Sequence, residues 1–113
     1  MHELSIMTQL LDVVEEEARR QGARGVRRID VVIGERLGVI DDSLLFCFDL
    51  LSAGTLAEGA SLEMRRVPMR FRCDEHGDYG RQGDEFFCPV CGRVGRQTEQ
   101  GSELFVESME IER

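Results

Sequence analysis

The sequence predicts an α+β fold: two helices packed on a small, mainly antiparallel three-stranded sheet, with an inserted zinc-ribbon-like module. Three observations predict it. Apolar residues recur at helical spacing in two segments, they alternate in three others, and two short metal-knuckle spacings interrupt the last two alternating runs.

The first helix is written in Ile6, Leu10, Leu11, Val14 and Ala18, which share one face of a 3.6-residue period. Opposite them, Glu15 and Arg19, and Glu16 and Arg20, stand four apart in the order that supports a helix. The acidic run Glu15-Glu16-Glu17 reads as that solvated face, and Gly22 as the stop. Next, "VRRIDVVIGE" alternates through Ile29, Val31 and Ile33, the signature of a strand.

The stretch "DDSLLFCFDLLSAG" offers Asp41 or Asp42 as N-cap, Leu44, Leu45, Phe48 and Leu51 as the apolar face, and Gly54 as the stop. It predicts a second helix of about three turns. Cys47 lies inside that apolar helix and reads as a buried free thiol. "ASLEMRRV" predicts a second strand with Leu62 and Met64 inward. "ELFVESMEIE" predicts a long third strand, with Phe105, Glu107, Met109 and Ile111 alternating against Leu104, Val106 and Ser108.

Pro68 and Gly101 bracket a glycine-rich insertion poor in aliphatic core residues. Residues 1–67 and 101–113 therefore read as one α+β domain, and 68–100 as a metal-stapled module that leaves and rejoins its sheet. A chain of 113 residues, 42% hydrophobic, buries only a modest core, which a structural metal would help. The net charge of -8 disfavours a general phosphate-binding role. Arg65, Arg66, Arg70 and Arg72 do crowd together, and solvated arginines around a strand end describe them better than a binding patch. No apolar run approaches the roughly 18 residues that span a bilayer. The N-terminal residues lack the basic region and cleavage site of a signal peptide. Three of the four cysteines have metal-like spacing, so the expected location is cytoplasmic and reducing.

Inside the module, Cys73-x2-His76 and Cys88-x2-Cys91 are separated by 11 residues. Paired ligands on a tight turn present both donors to one ion, and Gly77 and Gly92 supply the permissive backbone such turns need. A tetrahedral Cys3His set is a structural zinc arrangement, and four filled positions leave none open for catalysis. The alternative is that His76 is a loop histidine and that water or Asp74 completes the site. The linker holds Tyr79, Phe86 and Phe87 but little else apolar, so metal binding should supply the folding energy of the module.

The one other histidine is His2. With the Met1 amine and backbone amide nitrogens, its imidazole would form the tetragonal nitrogen set preferred by Ni(II) or Cu(II), and Glu3 could add an oxygen. An exposed terminal histidine, with Glu3 favouring the helix dipole, accounts for the same residues.

Four stretches together, "MHELSI", "FCFDLLSAGTLAEGASLE", the paired knuckles and "GSELFVESMEIE", resemble the HypA family of nickel metallochaperones. These serve [NiFe]-hydrogenase maturation and are sometimes shared with urease maturation. The similarity runs over essentially the whole chain. It implies a nickel site at His2, with the Met1 amine and Glu3 as neighbours, in the α+β domain of residues 1–67 and 101–113. The family's zinc ligands fall on Cys73, His76, Cys88 and Cys91, where His76 replaces the usual cysteine. The implied partners are a GTPase, HypB, and the hydrogenase large-subunit precursor, with neither nucleic acid nor membrane. A monomer or weak homodimer is expected, working by ligand exchange and not as an enzyme. No nucleophile–base pair is visible to suggest otherwise. The rival reading is a zinc-ribbon adaptor that binds protein or nucleic acid without nickel.

Overall fold

A computed structural model describes residues 2–113, and its elements follow the α+β reading. They are α1 (His2–Arg20), β1 (Gly25–Gly34), a 3-10 turn (Glu35–Leu37), α2 (Asp41–Ser52), β2 (Ser61–Val67), β3 (Arg70–Cys73), β4 (Gly77–Gly80), β5 (Arg96–Gln97) and β6 (Leu104–Glu112). The strands form two three-stranded sheets, ordered β2-β1-β6 and β4-β3-β5. The chain divides into two compact units. One comprises Met1–Val32, Gly38–Arg65 and Phe105–Arg113, and the other Ile33–Leu37 and Arg66–Leu104.

In the first unit α1 buries the predicted stripe of Ile6, Leu10, Leu11, Val14 and Ala18, together with Met7. Its end is closed by two reversed hydrogen bonds, Ala23 N–H to Ala18 C=O and Gly22 N–H to Arg19 C=O, each 3.0 Å. That pair satisfies two carbonyls the last turn would otherwise leave open. Arg19 does pair with Glu15, at 3.5 Å. Arg20 pairs with Glu17 instead of Glu16, because Glu17 stands one turn back on the side where it also accepts from Gln21.

The second helix begins differently from the prediction. Its N-cap is Ile40, in extended conformation and without a side-chain cap, so neither Asp41 nor Asp42 plays that role. Both carboxylates lie within the first turn, where they favour the positive end of the helix dipole. The Ile40 N–H donates to Glu3 Oε2 at 3.3 Å, so an acceptor from α1 meets the start of α2. Leu44, Cys47 and Phe48 face the core, and Cys47 is a buried free thiol as expected.

Strand β1 is central, with Ile29, Val31, Val32 and Ile33 all buried. The pairing with β6 is antiparallel, since Arg24 N–H reaches Glu112 C=O while Gly34 N–H reaches Glu103 C=O, both at 2.7 Å. In β2, Leu62 and Met64 are the half-buried side chains between exposed neighbours, as the alternation predicts.

In the second unit the insertion holds three strands that its composition did not announce. β3 and β4 form an antiparallel hairpin with Phe71 opposite Tyr79 and Cys73 opposite Gly77, and β5 pairs with the other edge of β3. Phe71, Cys73, Tyr79 and Cys88 make a small core, with Met69 packed against it. The Phe71 ring stacks on Tyr79 at 5.6 Å and meets Phe86 edge-on at 5.4 Å. The module thus has an apolar core of its own, built around Phe71. At the base of this unit Gly34 meets Gly101 so closely that a Cβ on Gly34 would lie 1.9 Å from the Gly101 carbonyl oxygen.

No helix among the described residues is long and apolar enough to cross a membrane.

Candidate metal centre

The centre is assembled from two turns. β3 delivers Cys73 at its end, and the hairpin pairs it with Gly77, whose positive φ lets the chain reverse over Asp74, Glu75 and His76. The second turn is closed by Cys88 N–H to Arg93 C=O at 2.8 Å and Gly92 N–H to Cys88 C=O at 2.9 Å, again with a glycine of positive φ. The Phe87–Val94 bridge holds the two sides of this turn together.

These turns bring Cys73, His76, Cys88 and Cys91 to one point, with all four donor atoms within 4.8 Å of one another. His76 Nδ1 lies 3.5 Å from Cys73 Sγ and 3.6 Å from Cys88 Sγ, and the Cys73 and Cys91 sulfurs are 3.7 Å apart. A tetrahedral ion with metal–sulfur bonds of about 2.3 Å and a metal–nitrogen bond of about 2.05 Å would set S···S edges of about 3.8 Å and S···N edges of about 3.6 Å. The donor set therefore fits one four-coordinate ion. Cys73 and Cys88 are buried, while His76 and Cys91 are exposed. Asp74 is turned elsewhere, accepting from Arg96 at 2.9 Å.

The turns also prepare the thiols electrostatically. The Glu75 amide, and after it the His76 ring nitrogen, hold the Cys73 thiol below its ordinary value. The Cys91 amide, with that of Val90, does the same for Cys88 against the opposing effect of burial. Cys91 moves the other way. The Arg93 amide favours its thiolate, but desolvation and the neighbouring sulfurs of Cys73 and Cys88 outweigh it. Two of the three thiols are thus already biased toward the form that binds metal.

Behind the donors, Tyr79 ties the turns together. Its hydroxyl donates to Phe86 C=O at 2.6 Å and accepts from Gly95 N–H at 2.8 Å. Glu35 plays a comparable part for the base of the same unit, accepting Met69 N–H at 3.0 Å and pairing with Arg81 at 2.8 Å. Neither residue stands out in the sequence. The alternation of Phe71 and Cys73 against Arg70 and Arg72 was the one signal for the strand on which Tyr79 packs.

The proposed nickel residues are placed less completely. His2 is exposed in the first turn of α1. Glu3 is half-buried, with one carboxylate oxygen committed to Ile40 N–H. Met1 lies outside the described residues. Among those described, the Cys3His set forms the one cluster of three or more metal-ligating side chains. The arginine crowd is divided by its own partners: Arg65 pairs with Glu107 at 3.0 Å, and Arg72 with Asp78 at 2.7 Å.

Comparison with known proteins finds similarity over nearly the whole chain. The family model described as hydrogenase/urease nickel incorporation, metallochaperone, hypA matches residues 1–111. A hydrogenase maturation factor HypA from Dehalococcoides mccartyi is 42% identical over 113 residues, covering 99% of this chain and 95% of the relative. One from Caldanaerobacter subterraneus subsp. tengcongensis is 40% identical over 114 residues, covering 99% and 100%. The solution structure of the Ni metallochaperone HypA from Helicobacter pylori is similar in fold, with a TM-score of 0.66 at 24% identity, covering 99% of this chain and 98% of that one.

Proposed function

The chain belongs to the HypA family of hydrogenase and urease nickel-incorporation metallochaperones, and on that premise we propose that it binds Ni(II) at its N-terminus and hands it on for [NiFe]-hydrogenase maturation. Such a protein carries and releases an ion and does not catalyse a bond-making reaction. Nickel is its cargo. His2 supplies the imidazole, the Met1 amine a second nitrogen, and backbone amides the remainder of a tetragonal set. Glu3 is a neighbour whose free oxygen can approach the ion while its other oxygen steadies the head of α1 against Ile40.

The observation that carries this reading is the position of His2. It is exposed at the first turn of α1, and the family match begins at residue 1. An exposed site with few protein donors suits exchange, because each nitrogen can be displaced in turn by an incoming ligand. The domain of residues 1–67 and 101–113 would carry the nickel, and the module of residues 68–100 a resident zinc.

For that zinc, Cys73, His76, Cys88 and Cys91 are the ligands. Bound there, Zn(II) supplies folding energy to the β3–β4 hairpin and leaves no coordination position open to substrate. The chain's own residues supply the rest, as the amides of Glu75, Val90 and Cys91 hold two thiols toward the thiolate. Partners follow from the role: the GTPase HypB, with which nickel is exchanged, and the hydrogenase large-subunit precursor as acceptor, with urease maturation as a second outlet. The setting would be cytoplasmic. A nickel-free adaptor for nucleic acid is disfavoured, since Arg65 and Arg72 are already ion-paired and the net charge is -8.

The experiment is a comparison of Ni(II) stoichiometry between the chain with its native N-terminus and a form with a short peptide fused ahead of Met1. The extension removes the amine beside His2 and should abolish the tetragonal nickel spectrum; an unchanged spectrum would refute the N-terminal site.

A further inference from the structure

The outer face of α2 is exposed among the described residues. Phe46 is 68% exposed and Leu50 60%, four residues apart and therefore adjacent along one ridge of the helix, with the exposed Leu45 alongside. Phe46 and Leu50 are contiguous, and with Leu45 on the adjoining side they put three exposed large apolar residues on a twelve-residue helix. The same helix buries Leu44, Cys47 and Phe48 on its other side, so it is apolar on both faces.

The charge carried by α2 itself is of one sign. Asp42 continues the ridge one turn before Phe46 and Asp49 lies beside it, both exposed, and neither has an ion-pair or hydrogen-bond partner among the described residues. α2 contains no lysine, arginine or histidine at all. Elsewhere the chain pairs the exposed Asp78 with Arg72 and Asp74 with Arg96, and the half-buried Glu17 with Arg20 and Asp30 with Arg28. On α2 the apolar ridge and the unpaired carboxylates coincide.

From this coincidence we propose that α2 is a docking surface for an amphipathic helix of another protein, one whose apolar stripe is flanked by lysine or arginine. Phe46 and Leu50 would seat between the partner's apolar side chains, ridge into groove, and Asp42 and Asp49 would pair with its basic flanks. A second copy of this chain fits poorly, because a twofold contact through α2 would oppose Asp42 and Asp49 to their own equivalents. An anionic lipid surface is repelled by the same carboxylates. The inference rests on the α2 surface alone and stands apart from the nickel reading.

The test uses the full chain and a synthetic probe. A fluorescent, amidated peptide of about 18 residues, with leucines at i, i+3, i+4 and i+7 spacing and lysines elsewhere, is titrated with the protein and followed by anisotropy. A second peptide carries glutamates in place of the lysines. Wild type should bind the lysine peptide, and Phe46→Ser/Leu50→Ser should weaken binding by about 10-fold or more. Asp42→Asn/Asp49→Asn should weaken it, and more so at low salt than at high salt. The glutamate peptide should not bind, and His2→Ala should bind the lysine peptide as wild type does. Phe46→Ser/Leu50→Ser should remain folded, since both side chains are exposed, and Asp42→Asn/Asp49→Asn should lower the melting temperature only slightly, through the lost first-turn charge of Asp42. Equal binding by wild type and Phe46→Ser/Leu50→Ser would overturn the proposal, as would sedimentation showing that Phe46 and Leu50 join two copies of the chain.

Discussion

His76 Nδ1 stands 3.5 Å from Cys73 Sγ, so the residue that breaks the paired-cysteine pattern nevertheless lies among the clustered donor atoms. The distance is that of two donors sharing one tetrahedral ion, and the ring also reaches Cys88 Sγ at 3.6 Å. An imidazole in place of a thiol leaves one fewer thiol proton to displace when a metal binds.

Metal binding must displace the proton of every ligand that carries one. Three thiols stand at the site in wild type, and four would in His76→Cys. The logarithm of zinc affinity plotted against pH between about 7 and 8 should therefore rise less steeply in wild type than in His76→Cys. A competitive chelator titration reads this, and equal slopes in the two proteins would refute the role given to His76.

Removing the metal should act locally. Chelation is expected to abolish amide protection over β3, β4 and the second turn, while α1 and α2 keep theirs, since their burial comes from Leu10, Val14, Leu44 and Phe48. Hydrogen exchange with mass detection would show it; protection unchanged across residues 70–97 would mean that the Phe71 core holds the module without metal.

Tyr79→Phe should destabilise the module by about 1–3 kcal/mol, because it leaves Gly95 N–H and Phe86 C=O without the hydroxyl that serves both. Denaturant titration of the metal-loaded protein measures this, and an unchanged midpoint would refute the linking role of Tyr79.

The two glycines of β1 should tolerate alanine very unequally. At Gly34 a Cβ would lie 1.9 Å from the Gly101 carbonyl oxygen, whereas at Gly25 the nearest atom is 3.8 Å away. Gly34→Ala is expected to cost on the order of 3 kcal/mol or more, and Gly25→Ala less than about 0.5 kcal/mol. Similar melting temperatures for the two variants would contradict the close approach.

Acid stability has a definite sign. The Arg28 guanidinium, and after it the Ser108 hydroxyl, hold the Asp30 carboxyl below its usual range, and Arg72 does the same for Asp78. A depressed carboxylate contributes stability that is present above its unfolded value, about 3.9, and is lost as pH falls through the lower folded value. Asp30→Asn should thus be less stable than wild type at pH 7, and the difference should close in the acid range below about pH 4. A difference that persists unchanged to pH 2 would contradict the pairing.

Much of this molecule was legible because its signals are periodic. Leu10, Val14 and Ala18 announce α1, Ile29 and Val31 announce β1, and the spacing of Cys73, His76, Cys88 and Cys91 announces the metal cluster. The β3–β4 hairpin was not legible, since four-residue strands offer too few alternations and Phe71 gains its meaning only opposite Tyr79. The start of α2 misled for another reason. Asp41 and Asp42 are good caps by type, but an acceptor from Glu3, 37 residues earlier, meets Ile40 instead. Long-range partners of this kind leave no local trace.

The central claim is that nickel is held at the head of α1, and calorimetric titration of Ni(II) into the zinc-loaded chain, with its native N-terminus, tests it most directly. Wild type should bind one nickel per chain beyond its zinc, and His2→Ala should lose that event while keeping the zinc and the melting temperature. If His2→Ala binds Ni(II) with the same stoichiometry and affinity as wild type, nickel is held elsewhere and the account given for this terminus is wrong.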